Sequence, residues 1–270
     1  MHKGIVRGIF LAIAAVIVSA IGPGNATADK PSSGAIAPLG NDISWPQCNK
    51  PYPTGRHFGI VGVNNGLANN TNPCFASELN WVQHSKGLAG QDTAALYVNT
   101  ANPGLGGSYW PKNNSYNRMA IGNPYGICDG TDTPACAYIY GYVKAYDNAT
   151  LRGVINPSNY TWWLDVETTN SWESNKLANT ADLEGMVNYL ATIGVKSVGL
   201  YSTGYQWGQI VGPTLFNSPL NGLKSWLAGA SSQQSAQANC SLPPLTTNGN
   251  VVLTQYISSR LDYNYSCLQL

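Results

Sequence analysis

The segment Trp162-Trp163-Leu164-Asp165-Val166-Glu167-Thr168 constrains this chain more than any other. Side chains alternate faces along a strand, so Trp163, Asp165 and Glu167 point one way and Trp162, Leu164 and Val166 the other. A strand that is apolar on both faces must be covered on both, which favours the interior of an α/β sheet over a half-exposed antiparallel one. Two carboxylates then leave that strand on a single face. Burying a lone carboxylate is costly, and two close together raise each other's proton affinity. The plain alternative is a structural ion pair, but no Lys or Arg follows until Lys176. The pair therefore reads as acid/base machinery.

The chain starts with features of a removable export signal, residues 1–28. Lys3 and Arg7 give a basic start, Gly8 to Ile21 is an apolar run too short to span a bilayer, and Ala26-Thr27-Ala28 suits cleavage. No Cys follows for lipid attachment and no membrane anchor is evident, so a freely secreted, extracellular protein is expected. Asp29 to Gly40 is rich in Pro, Ser and Gly and is expected to be a flexible leader (29–40). Losing Lys3 and Arg7 changes 14 cations and 13 anions into 12 and 13, a net charge of −1. That balance argues against nucleic acid or an anionic membrane as partner.

About 240 residues remain, enough for one large domain, residues 41–270. All six Cys (48, 74, 128, 136, 240 and 267) lie within it. An even number in an exported chain reads as disulfides rather than metal ligands. Six Cys permit fifteen pairings. Cys48–Cys74, Cys128–Cys136 and Cys240–Cys267 is favoured, the first tying the loop after strand one to the start of a helix, the second closing a short turn, and the third fastening the end of the last strand to the loop before strand seven. Beyond the leader only His57 and His84 remain, the first just before a strand and the second on a helix whose apolar stripe is Phe75, Leu79 and Val82. A Ser-His-Asp triad or a His-rich zinc site is hard to assemble from these two. Asp129 and Asp132 lie in a turn between Cys128 and Cys136 without the spacing of a calcium loop. No metal and no cofactor are expected.

Short apolar strands alternate with helical patterns, the signature of an α/β domain. Eight strands are expected, at 40–45, 58–63, 93–99, 161–167, 197–201, 225–228, 251–257 and 261–265. Helices are expected near 75–86, 137–151 and 181–193, the last capped by Asn179 or Thr180 and ended by Gly194. The last three strands leave little room for helices, which suggests an irregular (β/α) TIM-like barrel. Residues 101–136 form a long insertion rich in aromatic side chains, and in a barrel it would join the C-terminal face, where active sites are built.

Several fragments resemble glycoside hydrolase family 25, the secreted lysozyme-like muramidases. Asn41-Asp42-Ile43-Ser44-Trp45-Pro46-Gln47 resembles the family's first-strand Asp-x-Ser-x-x-Gln, and Leu164-Asp165-Val166-Glu167 its central Asp-x-Glu. Leu200-Tyr201-Ser202, Trp226-Leu227-Ala228 and Thr254-Gln255-Tyr256 resemble its fifth to seventh strands, and Leu261-Asp262-Tyr263-Asn264 its closing Val-Asp-x-Asn. The order runs over most of the expected domain. Three positions depart: Val61-Gly62-Val63-Asn64 lacks a terminal Arg, Leu96-Tyr97-Val98-Asn99 replaces a Tyr-His-Phe-like pattern, and Cys48 stands where Gly is usual. A chitinase-like Asp-x-x-Asp-x-Asp-x-Glu is half missing, since Trp163 and Tyr160 occupy the earlier acidic positions.

The resemblance implies a β-1,4 N-acetylmuramidase acting on peptidoglycan or a related amino-sugar glycan, as a monomer. Asp42, Asp165, Glu167 and Asp262 are expected to converge at the C-terminal ends of strands one, four and eight. Glu167 would be the proton donor, with Asp165 kept charged by Asp42 or Tyr201 and acting on the substrate's 2-acetamido group. An inverting route, with Asp262 or Asp42 activating water, stays open. Tyr97, Tyr201, Trp226 and Gln255 are expected to bind substrate, joined by Trp110 as the insertion walls the cleft. The competing function is a barrel that binds wall glycan without cutting it.

Overall fold

The computed structural model describes residues 38–269; the expected signal segment 1–28 and most of the leader lie outside them. Eight strands close into a barrel: β1 (Leu39–Ile43), β2 (Gly59–Gly62), β3 (Ala94–Asn99), β4 (Thr161–Asp165), β5 (Ser197–Ser202), β6 (Lys224–Ala230), β7 (Asn250–Ser258) and β8 (Leu261–Ser266). Neighbours from β1 through β7 run parallel, whereas β8 runs antiparallel to both β7 and β1 and closes the ring between them. The helices are α1 (Phe75–Gln83), α2 (Pro134–Leu151), α3 (Lys176–Thr192), α4 (Gly204–Ile210) and α5 (Gln233–Asn239). The expected mixed α/β barrel is therefore present. Its helices shorten to two turns between β5 and β7 and vanish between β7 and β8.

The direction of β8 has a local cause. Ser259 and Arg260, the two residues between β7 and β8, both have positive φ (51° and 65°). Two consecutive residues of this kind make a tight hairpin turn whose twist matches that of the strands it joins. The last strand is thereby turned back down the barrel. Its first residues, not its last, reach the rim where β1 and β4 end.

The β4 pleat divides the core in two. Trp162, Leu164 and Val166 pack outward with Leu183, Met186 and Leu190 of α3, while Trp163 joins Phe58, Ile60, Trp226 and Leu253 inside the barrel. Trp163 fits because its neighbour on β5 is Gly199, where a Cβ would lie 2.3 Å from the indole ring. With Trp163 and Trp226 filling the centre, the barrel is a packed core rather than a pore.

Helix α3 begins five residues earlier than its apolar pattern suggests. Asn175, not Asn179 or Thr180, caps it, accepting from the Leu177 and Ala178 amides at 3.1 and 3.3 Å. Asn179 lies one turn inside and is buried, donating to the carbonyls of Glu173 and Ile210. The sequence offered several Asn and Thr caps, and tertiary partners decided between them. Gly194, with φ of 67°, ends the helix as expected.

Helices α2 and α3 cross at two glycines. A Cβ on Gly141 would lie 1.9 Å from the Asp182 carbonyl oxygen, and one on Gly185 would lie 2.1 Å from that of Tyr138. Backbone meets backbone there, so no side chain can move aside. All three expected disulfides are present, Cys48–Cys74, Cys128–Cys136 and Cys240–Cys267. The departure at Cys48 is thus one half of a clamp between the loop after β1 and the start of α1.

Gly141→Ala tests the crossing. In a helix with free space the change would stabilise by about 1 kcal/mol, whereas overpacking costs about 1–3 kcal/mol or more. A net loss on the order of 2 kcal/mol is expected in denaturant titration; a neutral or stabilised variant would show that the helices separate freely.

Candidate active site

The β pleat carries the site out of the barrel core. On six of the eight strands the inward side chain toward the mouth is polar: Asp42 on β1, Tyr97 and Asn99 on β3, Asp165 on β4, Tyr201 on β5, Gln255 on β7, and Asp262 and Asn264 on β8. Glu167 follows β4 by two residues and continues its inward face. Together with Trp45, Gly66, Trp226 and Ile257, all of these but the buried Asn264 line an open cleft of about 300 Å³. It contains four carboxylates and neither Lys nor Arg.

The structure brings Asp42, Asp165, Glu167 and Asp262 into one cleft, but Asp262 arrives differently from expectation. It is the second residue of β8, directly opposite Asp42, because the strand is antiparallel. It therefore stands at the N-terminal end of its strand, not the C-terminal end.

Each carboxylate has a distinct setting. Asp42 Oδ1 accepts from Asn264 Nδ2 at 2.7 Å and from Gln255 Nε2 at 3.0 Å, and Gln255 Oε1 in turn accepts the Tyr201 hydroxyl at 2.7 Å. Burial, followed by the facing Asp262, pushes the Asp42 carboxyl up from 3.8 to about 7 against the pull of those two amides. Asp165 is fully buried. Its Oδ2 accepts from Asn99 Nδ2 at 2.6 Å, while Oδ1 has no partner. Burial, then Glu167 and Asp42, raise its proton affinity far above the usual carboxylate range. Glu167 sits nearer the mouth, half-buried. Burial raises it too, against a hydrogen bond from Gln206. Asp262 is raised by burial.

This corrects the expectation for Asp165. Neither Asp42 nor Tyr201 holds it in the charged form: the Tyr201 hydroxyl is committed to Gln255, and among the described residues the side-chain amide reaching Asp165 is that of Asn99. With no cation in the cleft lining and two carboxylates close, its proton affinity is raised rather than lowered.

The aromatic candidates separate. Tyr97 and Tyr201 line the cleft. Trp226 lines it as well, but it is only 2 % exposed, the third residue of β6 rather than its end, and its ring lies 4.4 Å from that of Tyr201. It forms floor rather than a stacking platform. Trp110 lies elsewhere, its ring 5.5 Å from Tyr140 in a cavity between the insertion and α2. The insertion contributes no residue to the cleft lining, contrary to expectation, because Cys128–Cys136 folds it against α2. The open platform at the cleft is Trp45, 46 % exposed, just after β1. Sequence reasoning also missed Asn99, Asn264 and Gln206 as partners of the acids. The first two share strand parity with Tyr97 and Asp262, a signal that was available; Gln206 reaches Glu167 only through the fold. Among the described residues no group of three or more His, Cys, Asp or Glu is placed to hold a metal ion.

Residues 144–238, from within α2 to α5, match the family model described as Lysozyme-like protein 1. No curated protein matches the chain significantly by sequence. Among solved structures, the muramidase from Trichobolus zukalii is 16% identical with a TM-score of 0.51, the match covering 85% of this chain and 93% of that one. The muramidase from Acremonium alcalophilum is 15% identical with a TM-score of 0.51 (84% and 92% covered), and the bacterial lysozyme from Streptomyces coelicolor is 14% identical with a TM-score of 0.50 (86% and 93%). Residues 144–238 are thus similar to a lysozyme-like family model, and the chain has the barrel fold of these muramidases. Both findings agree with the resemblance carried by its sequence motifs.

Asp42 makes a pH test of this electrostatic reading. A carboxyl whose folded value lies above its unfolded one binds an extra proton in the native state, so stability falls as pH rises from 3.8 to about 7. Asp42→Asn removes that penalty while keeping an acceptor for Asn264 and Gln255. It should be more stable than the parent at pH 8, by on the order of 2 kcal/mol, and gain little at pH 4. Thermal melts in which the parent is the more stable at pH 8 would refute the strained Asp42 charge.

Proposed function

We propose that this protein is a secreted glycoside hydrolase that cleaves the β-1,4 bonds of peptidoglycan as an N-acetylmuramidase. The observation that carries the reading is the Asp165–Glu167 pair, two buried-side carboxyls with raised proton affinity on one strand face at the mouth of a cleft. The lysozyme-like match over residues 144–238 and the muramidase barrels support it. The three disulfides and the export-like first 28 residues support an extracellular site of action.

Glycosidic cleavage needs a proton on the leaving oxygen and electron supply to the anomeric carbon. Glu167, its proton affinity raised by burial and lying nearest the mouth, gives its proton to the glycosidic oxygen. Asp165 Oδ1, buried without a donor, accepts the N–H of the substrate's 2-acetamido group. As that proton moves toward Asp165, the acetamido oxygen becomes a better nucleophile and closes on the anomeric carbon. The glycosidic bond breaks with its electrons on the protonated oxygen. Glu167, now ionised, takes a proton from the water that opens the cyclic intermediate, so configuration is retained. For this route Asp165 is the carboxylate when the acetamido group enters, its own proton having passed to solvent water through the open cleft, and Asn99 steadies that charge. Tyr97, Tyr201 and Gln255 shape the sugar subsite, and Trp45 offers an apolar face at its edge.

Glu167→Gln keeps the shape and removes the titrating proton. Loss of a general acid costs about 10²–10⁴ in rate. The intact protein should release soluble fragments and new reducing ends from purified peptidoglycan, followed by mass spectrometry, and Glu167→Gln at least about tenfold fewer. If the intact protein binds the wall but releases nothing at any pH, the enzyme reading fails and the glycan-binding barrel replaces it.

A further inference from the structure

The aromatic insertion has a cavity of its own, of about 460 Å³, which shares no lining residue with the carboxylate cleft. One side is a stripe of α2. Tyr140, Val143, Lys144, Asp147 and Leu151 recur at three- and four-residue spacing and so face one way. The other side is the insertion, with Tyr109, Trp110 and Tyr116.

The floor is polar but internally satisfied. Lys144 Nζ pairs with Asp147 Oδ2 at 3.0 Å, both side chains buried, and the Tyr116 hydroxyl donates to Asp147 Oδ1 at 3.0 Å. The Lys144 ammonium also lies 5.0 Å from the centre of the Tyr109 ring and 5.5 Å from that of Tyr140. This pair leaves no net charge for a ligand. The lip differs. Arg152 donates to Thr71 Oγ1 at 2.8 Å and to the Asn69 carbonyl at 2.6 Å, and its Nε is buried without a partner. It belongs to neither ion pair found among the described residues, so its charge meets no carboxylate.

The wall is held in place. Trp110 Nε1 donates to the Thr131 carbonyl at 3.3 Å, and Cys128–Cys136 ties the end of the insertion to the first turn of α2. Tyr109 is 74 % exposed and sits in the left-handed backbone region, φ 67°, which a bulky residue seldom adopts. A large aromatic face kept in water on a clamped loop, beside an unpaired guanidinium, suits a ligand with an apolar face and one anionic group.

We propose that this cavity is a second saccharide site that takes carboxylate-bearing amino-sugar units of wall glycan, with the sugar face on Tyr109 and Trp110 and the carboxylate on Arg152. The identity of the sugar as muramic acid rests on the proposed action on peptidoglycan. The cleft itself, with four acids and no cation, gives an anionic substituent nothing to pair with. A second contact on the same polymer would raise the residence of the chain on an insoluble wall through effective concentration rather than tighter single-site binding.

Ligand-observed NMR titration with free N-acetylmuramic acid and free N-acetylglucosamine tests this, since the two differ by the lactyl carboxylate. The intact chain should bind the acidic sugar about tenfold more tightly. Arg152→Gln should bring the two within about twofold, Arg152→Lys should keep most of the preference, and Tyr109→Ser should weaken both sugars severalfold. Equal affinities in the intact chain, or a preference that survives Arg152→Gln, would overturn the site. The outcome is independent of catalysis: a chain that holds the acidic sugar here yet releases no wall fragments loses the hydrolase reading and keeps this one.

Discussion

Four carboxylates occupy the mouth of a barrel whose lining offers them no cation, and much of the surrounding structure answers that constraint. In water each would ionise below pH 5, but here burial holds all four above their ordinary values, and repulsion from neighbouring carboxylates adds to it at Asp42, Asp165 and Glu167. The only compensation is dipolar. Asn264 and Gln255 serve Asp42, Asn99 serves Asp165, and Gln206 serves Glu167. Amides lower the proton affinity of a carboxylate without cancelling its charge, so they offset the effect of burial only in part.

Maintaining such a cluster requires a rigid support. Beneath it Trp163 and Trp226 meet edge-on, with ring centroids 5.7 Å apart, and Gly199 leaves room for the first of them. Gly62 does the same above, where a Cβ would lie 2.4 Å from Ser44 Oγ and 2.7 Å from the Tyr97 ring. Outside the sheet, α3 packs on Trp162 and Leu164 while crossing α2 at Gly141 and Gly185. One strand therefore links every layer: its outward residues face the helices, its inward tryptophan fills the core, and its inward acids enter the cleft. A change on either face of β4 is transmitted to the chemistry because the same backbone carries both.

The insertion shows the opposite behaviour. Its disulfide and hydrogen bonds tie it to α2 and α3, so Tyr109, Trp110 and Tyr116 are withheld from the cleft and gathered around a second cavity. The cleft is left with Trp45 as its exposed aromatic, which keeps it open and strongly acidic. Cation and carboxylate cluster are thus separated: Arg152 and Lys144 lie at one cavity, the four acids at another.

The sequence by itself determined what short-range periodicity can encode. The alternation in Trp162 to Glu167 determined which side chains face the barrel interior, the Leu183 to Leu190 spacing determined α3, and the order of strand-end motifs determined a barrel with Asp42, Asp165 and Glu167 at one rim. Only the tertiary structure decided the rest. The direction of β8 depends on the positive φ angles of Ser259 and Arg260, which side chains without glycine do not announce. The start of α3 depends on Asn179 being buried against Ile210, thirty-one residues away. Trp110 left the cleft because a loop's packing partner is set by surfaces far apart in the chain. The raised proton affinity of Asp165 depends on how much water burial removes and on which donors come within reach, and both are properties of the assembled barrel rather than of any local run of residues.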